Sequence, residues 1–236
     1  MVERTLFVGD VHGFLTELEG LLNLAGFLPK RDRLFFVGDL INRGPDSLGV
    51  LKLVHHLGAS SVLGNHEQSF LSFLKNGSKP SANFEKKKQE MGDQAGFWED
   101  WLESLPLFVS EGKEDEIDSF QVVHAGVAPG IPLQESEPRL LTKLRTWDPE
   151  NCRPGDDNHL AWYELYEDSR MIIFGHWAAG GIVMRQNVIG LDSGCVYGGC
   201  LKALSWPSHG LIGSCISFLH KEFNIILNHN SQLLAR

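Results

Sequence analysis

An α/β protein with two packed sheets is the fold class this sequence predicts, and three observations predict it. Thr5-Leu6-Phe7-Val8 and Leu34-Phe35-Phe36-Val37 are short apolar runs of the kind that form strands buried on both faces. Leucines at helical spacing separate them, which makes a βαβ unit whose parallel strands open their carboxyl ends onto one crevice. Further on, residues 188–191, 200–206, 213–219 and 224–227 read as strands joined by glycine-rich turns, which suggests a second sheet packed on the first.

In chain order, the first strand runs into Gly9-Asp10-Val11-His12-Gly13. Asp10 and His12 are two apart on a nearly extended chain, so both can reach one cation. Alone, the pentapeptide is equally an ordinary strand-to-helix turn with Asp10 capping the helix. Leu15, Leu18, Leu21, Leu22 and Ala25 predict an amphipathic helix from Phe14 to Ala25, closed by Gly26. The second strand ends in Gly38-Asp39, so Asp39 is expected beside Asp10. Pro45 suits the first turn of a helix reaching about His56. Arg43 stands ahead of that helix, where backbone N–H groups and a guanidinium can hold a phosphate, or else it is a solvated loop arginine. Ser61-Val62-Leu63 predicts a third strand ending in Gly64-Asn65-His66-Glu67, the same arrangement a third time.

A helix is expected from Gln68 to Lys75. The polar stretch 76–94 holds Lys86-Lys87-Lys88 and reads as an insertion or flexible connection within a single domain spanning 1–236. Its lysines are a solvated face or a lid over an anionic substrate. Residues 95–104 predict a helix that puts Phe97, Trp98, Trp101 and Leu102 in the core, and 111–118 an acidic turn. Two further apolar strands, 120–123 and 171–174, end in His124 and His176. Between them Arg145 is a second candidate for binding phosphate. His55 and His56 read as surface or packing residues, and His159, His209, His220 and His229 take no role.

Composition narrows the function. Of 236 residues, 42% are hydrophobic and 22% charged, as in ordinary globular chains. No run nears the ~18 apolar residues of a membrane span and no signal-peptide pattern opens the chain, so a cytoplasmic location without a membrane partner is expected. Four cysteines, in neither zinc nor disulfide spacing, read as buried thiols. A net charge of -9 argues against an extensive nucleic-acid surface, but not against a phosphorylated substrate held by cations.

Asp10, His12, Asp39, Asn65, His124 and His176 thus form a set of oxygen and imidazole donors at strand ends. Without thiolates they suit manganese, iron, zinc or cobalt. Six donors are too many for one tetrahedral ion with an open position, so two ions sharing a carboxylate is the economical solution. Two such metals ~3.5–4 Å apart generate hydroxide near neutral pH and neutralise charge in phosphoryl transfer.

Gly9-Asp10-x-His12-Gly13, Gly38-Asp39-x-x-Asn42-Arg43-Gly44, Gly64-Asn65-His66-Glu67, His124-Ala125-Gly126 and Gly175-His176 together resemble the calcineurin-like metallophosphoesterases of the phosphoprotein phosphatase type. Arg43-Gly44-Pro45-x-Ser47, 174–178 and 191–199 resemble the bacterial symmetrical diadenosine tetraphosphate hydrolases within that superfamily. The resemblance implies a four-layered α/β/β/α sandwich and two divalent ions, manganese first among the choices. Asp10, His12 and Asp39 would hold one ion, and Asp39, Asn65, His124 and His176 the other. Arg43 would bind the substrate phosphate, with Asn42 and Arg145 completing the candidate substrate-binding set, and His66 would protonate the leaving oxygen. In the protein phosphatases an aspartate stands where this chain has Asn42; an amide can still accept a hydrogen bond from the imidazole but brings no charge to stabilise imidazolium. The implied activity is attack by metal-bound hydroxide on diadenosine tetraphosphate to give two ADP, with capped RNA 5' ends as related substrates. A serine/threonine phosphatase acting on phosphoproteins and a non-catalytic metal-binding regulator are the alternatives.

Overall fold

The computed structural model describes residues 4–78, 81–113, 119–207, 214–219 and 222–224. In chain order the elements are β1 (Arg4–Val8), α1 (Leu15–Leu24), β2 (Asp32–Phe36), α2 (Ser47–His56), β3 (Ser60–Ser61), α3 (Asn65–Asn76), α4 (Ala82–Met91), α5 (Ala95–Glu103), β4 (Phe108–Glu111), β5 (Phe120–Val123) and α6 (Pro138–Lys143). Then come β6 (Trp147–Asp148), β7 (Arg153–Pro154), β8 (Met171–Phe174), β9 (Val183–Arg185), β10 (Val188–Gly190), β11 (Leu201–Pro207), β12 (Ser214–Leu219) and β13 (Glu222–Asn224).

One sheet has the order β13-β12-β11-β1-β2-β3 and the other β4-β5-β8-β10-β9. β1 and β2 pair in parallel, as do β2 and β3, β5 and β8, and β8 and β10. Strand alternation sorts the apolar side chains into layers. Leu6, Val8, Leu34 and Phe36 face α1 to α5, whereas Phe7, Phe35 and Val37 face Phe120, Val122, Ile173 and Ile189 of the other sheet. Phe7, Phe35 and Phe120 meet across this interface with centroids 4.8–5.5 Å apart, a spacing that favours aromatic pairs. Val123, Ile172, Phe174 and Val188 face the far side, where α6 and irregular chain around buried Trp162 cover them. The layers follow the α/β/β/α scheme, with an outer cover on the second sheet that is mostly not helical.

Several boundaries differ from expectation. The last third builds the second sheet only in part: β10, expected at 188–191, joins it with β9, while β11 to β13 extend the first, with β11 antiparallel to β1. The third strand is two residues long, because the chain turns at Gly64 into α3, which begins at Asn65 rather than Gln68. Pro45 lies ahead of the α2 cap; Asp46 caps that helix by accepting from Gly49 N–H at 2.7 Å. Residues 82–91 of the expected flexible connection form α4, whose Phe84 and Met91 are buried and whose Phe84 ring packs on Phe70 and Phe73. In α5, Trp98 and Leu102 are core, but Phe97 is 49% exposed and packs edge-on with His55. Cys195 is buried and Cys152 exposed. The readings at 114–118, 213, 225–227, His209, His220 and His229 fall outside the described residues. No described helix is long and apolar enough to cross a membrane.

Candidate active site

Parallel pairing puts the loops after β1 and β2 at one sheet end, and backbone bonds lock them together. The Asp39 carbonyl accepts the N–H groups of Val11 and His12, at 3.1 and 2.7 Å. Glu67, fully buried in the first turn of α3, reaches back to accept the N–H groups of Gly64 (3.0 Å), Asp39 (2.9 Å) and Ile41 (3.1 Å). The loop after β8 joins when Asp10, whose carboxylate does not cap α1, accepts the His176 N–H at 3.0 Å. Gly175 permits that approach, since a Cβ there would collide with Asp10 Oδ1. The convergence strains the chain: His12, Asp39, Asn42, Arg43 and His176 all have φ between 51° and 78°, and among the described non-glycine residues only Cys152 shares a positive φ. Such conformations cost roughly 1–3 kcal/mol each and survive only where the surroundings enforce them.

The side chains so placed present lone pairs to one another. His124 donates from Nδ1 to the Val37 carbonyl at 2.8 Å, which leaves Nε2 of the neutral ring as an acceptor. That Nε2 lies 2.9 Å from Asn65 Oδ1 and 3.4 Å from Asp39 Oδ2. His176 Nδ1 stands 2.9 Å from the same Asn65 oxygen. On the other side His12 donates from Nδ1 to the Ile41 carbonyl at 3.2 Å and turns Nε2 toward Asp10 Oδ2 (3.9 Å) and Asp39 Oδ2 (3.7 Å). Acceptors packed this way repel unless a cation lies among them, and ligands ~2.0–2.2 Å from one ion stand about 3–4 Å apart. The donor set therefore fits metal. By distance His12, Asp39 and His66 form one group, from which the hydrogen-bonding of His66 described below removes that ring as a ligand, and Asp39, His124 and His176 form another.

Electrostatics agree. Burial lowers His12 and His176 to about 4 and His66 to about 3, and it lowers His124 as well, so all four rings are neutral at physiological pH. Burial also raises the Asp10 and Asp39 carboxyls, reinforced by the charges of Asp192 on the first and Glu67 on the second. Cations at the site would remove that penalty.

His66 stands beside these groups, with Nε2 4.0 Å from Asp39 Oδ2. Its partner is Asn42, at 2.7 Å, but with polarity opposite to expectation. The Asn42 oxygen is already taken by the Arg43 N–H (3.0 Å) and by Asn83 Nδ2. The amide therefore donates to His66 Nδ1 instead of accepting from it, and the ring hydrogen resides on Nε2.

All this forms the floor of a cleft of about 660 Å³ lined by His12, Asp39, Asn65, His66 and His176, a size usual for small-molecule sites. Arg43 and Arg145 enter its walls with Trp177, Tyr197 and Asp192. Neither guanidinium forms a salt bridge with a described carboxylate. The Arg43 guanidinium lies 6.0 Å from the centre of the 72% exposed Tyr197 ring. Every sequence-level candidate is thus at or beside the cleft. Sequence reasoning missed Glu67, Asp192 and Asn83. The first is signalled by a glutamate three residues past a helix cap; Asn83 has no local signal, because it arrives on α4.

A family profile described as calcineurin-like phosphoesterase matches residues 3–180. A Vibrio cholerae protein named symmetrical bis(5'-nucleosyl)-tetraphosphatase is 32% identical over 259 positions, covering 84% of this chain and 93% of its own. One of the same name from Nitrosomonas europaea is 28% identical over 258 positions, which take in 85% of this chain and 94% of the relative, so about a fifth of the relative's positions have no counterpart here. A crystal structure assigned provisionally as a diadenosine tetraphosphatase superposes with a TM-score of 0.79 at 31% identity, over 93% of this chain and 96% of that one.

Proposed function

Because this chain belongs to the calcineurin-like phosphoesterase family, we propose that it is a hydrolase that divides a dinucleoside tetraphosphate such as diadenosine tetraphosphate at its middle anhydride into two ADP. The observation that carries this reading is a set of facing acceptors sharing one cleft with two arginines that salt-bridge no described carboxylate. A polyphosphate supplies the charge those arginines lack, and divalent ions satisfy the acceptors.

In the proposed division, Asp10, His12 and Asp39 hold one ion, and Asp39, Asn65, His124 and His176 the other. When bound, the ions supply an activated water and neutralise phosphoryl charge. Manganese is the first candidate, with cobalt, iron and zinc behind it. Arg43, ahead of α2, binds the phosphoryl oxygens, and Arg145, which lines the same cleft, engages the outer chain. Asn42 holds His66 so that the Nε2 hydrogen faces the cleft, where it meets the leaving oxygen. A neutral imidazole is a weak acid. It suits a leaving nucleoside diphosphate, which needs little protonation, better than a serine alkoxide, which needs a full proton. This sets the phosphoprotein alternative behind the anhydride, and a cytoplasmic setting suits such a nucleotide.

The missing fifth of the relatives' positions favours a second reading within the same chemistry: a tetraphosphate with a single gripped nucleoside, including capped RNA 5' ends. A product assay with manganese or cobalt, offering diadenosine tetraphosphate and a phosphopeptide in parallel, tests both. ADP as the sole nucleotide is expected; AMP with ATP overturns the symmetrical cut, and phosphate from the peptide alone promotes the phosphoprotein. His66→Ala should retain metal while turnover falls roughly 10²–10⁴-fold.

A further inference from the structure

Helix α4 carries a line of polar side chains that ends on the His66 ring. Lys87, 4% exposed, donates from Nζ to Asn83 Oδ1 at 2.6 Å. The two residues are four apart and share a helix face. Asn83 Nδ2 donates to Asn42 Oδ1, and Asn42 Nδ2 meets His66 Nδ1 at 2.7 Å. Every bond runs the same way, and the first one dictates the direction.

An ammonium has donors and no acceptor. Asn83 must therefore turn its oxygen to Lys87, which leaves its amide nitrogen to face Asn42. Asn42 must answer with its oxygen, already held by the Arg43 N–H, and so turn its own nitrogen to the ring. The ring can then only accept at Nδ1 and carry hydrogen on Nε2. Without that instruction only the Arg43 N–H still holds the Asn42 oxygen, and the amide can turn over at the cost of that one bond and almost no steric cost, because oxygen and NH₂ are nearly the same size. The ring would follow into the other tautomer, with an Nε2 lone pair facing the cleft. Phe84 and Met91 anchor the helix in the core, which keeps Lys87 and Asn83 in place.

We propose that Lys87 and Asn83 are positioning residues that, through Asn42, set the tautomer of His66 so that its Nε2 hydrogen points into the cleft. The consequence for turnover rests on the reading of His66 as donor to the leaving oxygen; the tautomer itself does not, so the two are separable by experiment.

The deciding variant is Asn83→Asp, which has the same shape on an exposed helix position. Its carboxylate accepts from Lys87 and repels the Asn42 oxygen, so Asn42 is expected to turn over, giving up the Arg43 N–H, and the ring to place its hydrogen on Nδ1. Long-range ¹H–¹⁵N spectra of the zinc-loaded full chain read the tautomer directly. The wild type should show the Nε2–H form and Asn83→Asp the Nδ1–H form. kcat for diadenosine tetraphosphate should fall roughly 10–100-fold, with KM and bound metal unchanged. Lys87→Met should blur the tautomer and lower kcat, and Lys87→Arg should restore both. An Nε2–H ring in Asn83→Asp, with or without lost activity, overturns the proposal. Conversion of the tautomer with full turnover upholds the positioning and removes His66 from the leaving-group role instead.

Discussion

The two halves of the candidate metal centre are built differently. Asp10, His12 and Asp39 come from adjacent parallel strands of one sheet, and the Asp39 carbonyl ties their loops with two short backbone bonds. Asn65, His124 and His176 come from α3 and from two strands of the other sheet, and they meet across 59 and 111 residues of sequence. The first half is held by hydrogen-bonded strand pairing within one sheet; the second reaches it across the gap between sheets, through apolar packing and the bonds from His124 Nδ1 to the Val37 carbonyl and from the His176 N–H to Asp10. The first should therefore tolerate loosening of the core and the second should not, although both feed one carboxylate.

Asp39→Ala erases the comparison, because both halves lose their common oxygen: bound metal measured by mass spectrometry should vanish from both positions and turnover fall at least ~10³-fold. Retention of one full equivalent would mean that Asp39 serves one side only. Phe120→Ala sharpens it. Removing that ring from the junction with Phe7 and Phe35 should cost about 3–5 kcal/mol of unfolding stability. The remaining folded protein should bind closer to one equivalent of metal than two, and an unchanged stoichiometry would show that inter-sheet packing does not govern the second half. Glu67→Gln acts on the seam between them. The amide cannot satisfy all three backbone donors that the carboxylate accepts, so chemical denaturation should report a loss of about 1–3 kcal/mol.

The smallest effect concerns acid. In metal-free protein the folded His12 ring, at about 4, binds no proton between there and 6.5, while the unfolded ring does. His12 thus subtracts stability as pH falls through that window, and the raised Asp10 and Asp39 carboxyls work in the opposite sense. His12→Asn removes the first contribution and leaves the second. Its melting temperature should decline less than that of the wild type between pH 6.5 and 4; an equal decline would place the proton uptake elsewhere.

The same division explains what was legible in the sequence. A glycine and an acid after an apolar run, repeated around one helix, is enough to put Asp39 beside Asp10, since a βαβ unit has little topological freedom. His124 and His176 were legible from the residues as strand ends, and as neighbours of Asn65 only through the family resemblance, because nothing local encodes how two sheets stack. The strands read at 200–206 and 213–219 are strands, β11 and β12, but were assigned to the wrong sheet for the same reason: alternation says which face is buried, not which edge is joined. The polarity of Asn42 was beyond reach, since it depends on the turn that brings the Arg43 N–H onto its oxygen and on Asn83, a residue on a helix that the polar composition of 76–94 disguised. Phe84 and Met91 are the residues that make that helix pack, and they are two apolar side chains among many charges.

The backbone strain around the cleft bears on how this protein can be engineered. Asn42 and Arg43 sit consecutively at φ 78° and 70°, so a search for thermostabilising substitutions would find glycine attractive at either. Each would gain on the order of 1 kcal/mol by relieving the turn, and each would delete a side chain that the proposed mechanism uses. Heat resistance selected without an activity screen should accumulate at this corner first, and the protein that emerged would be sturdier and idle.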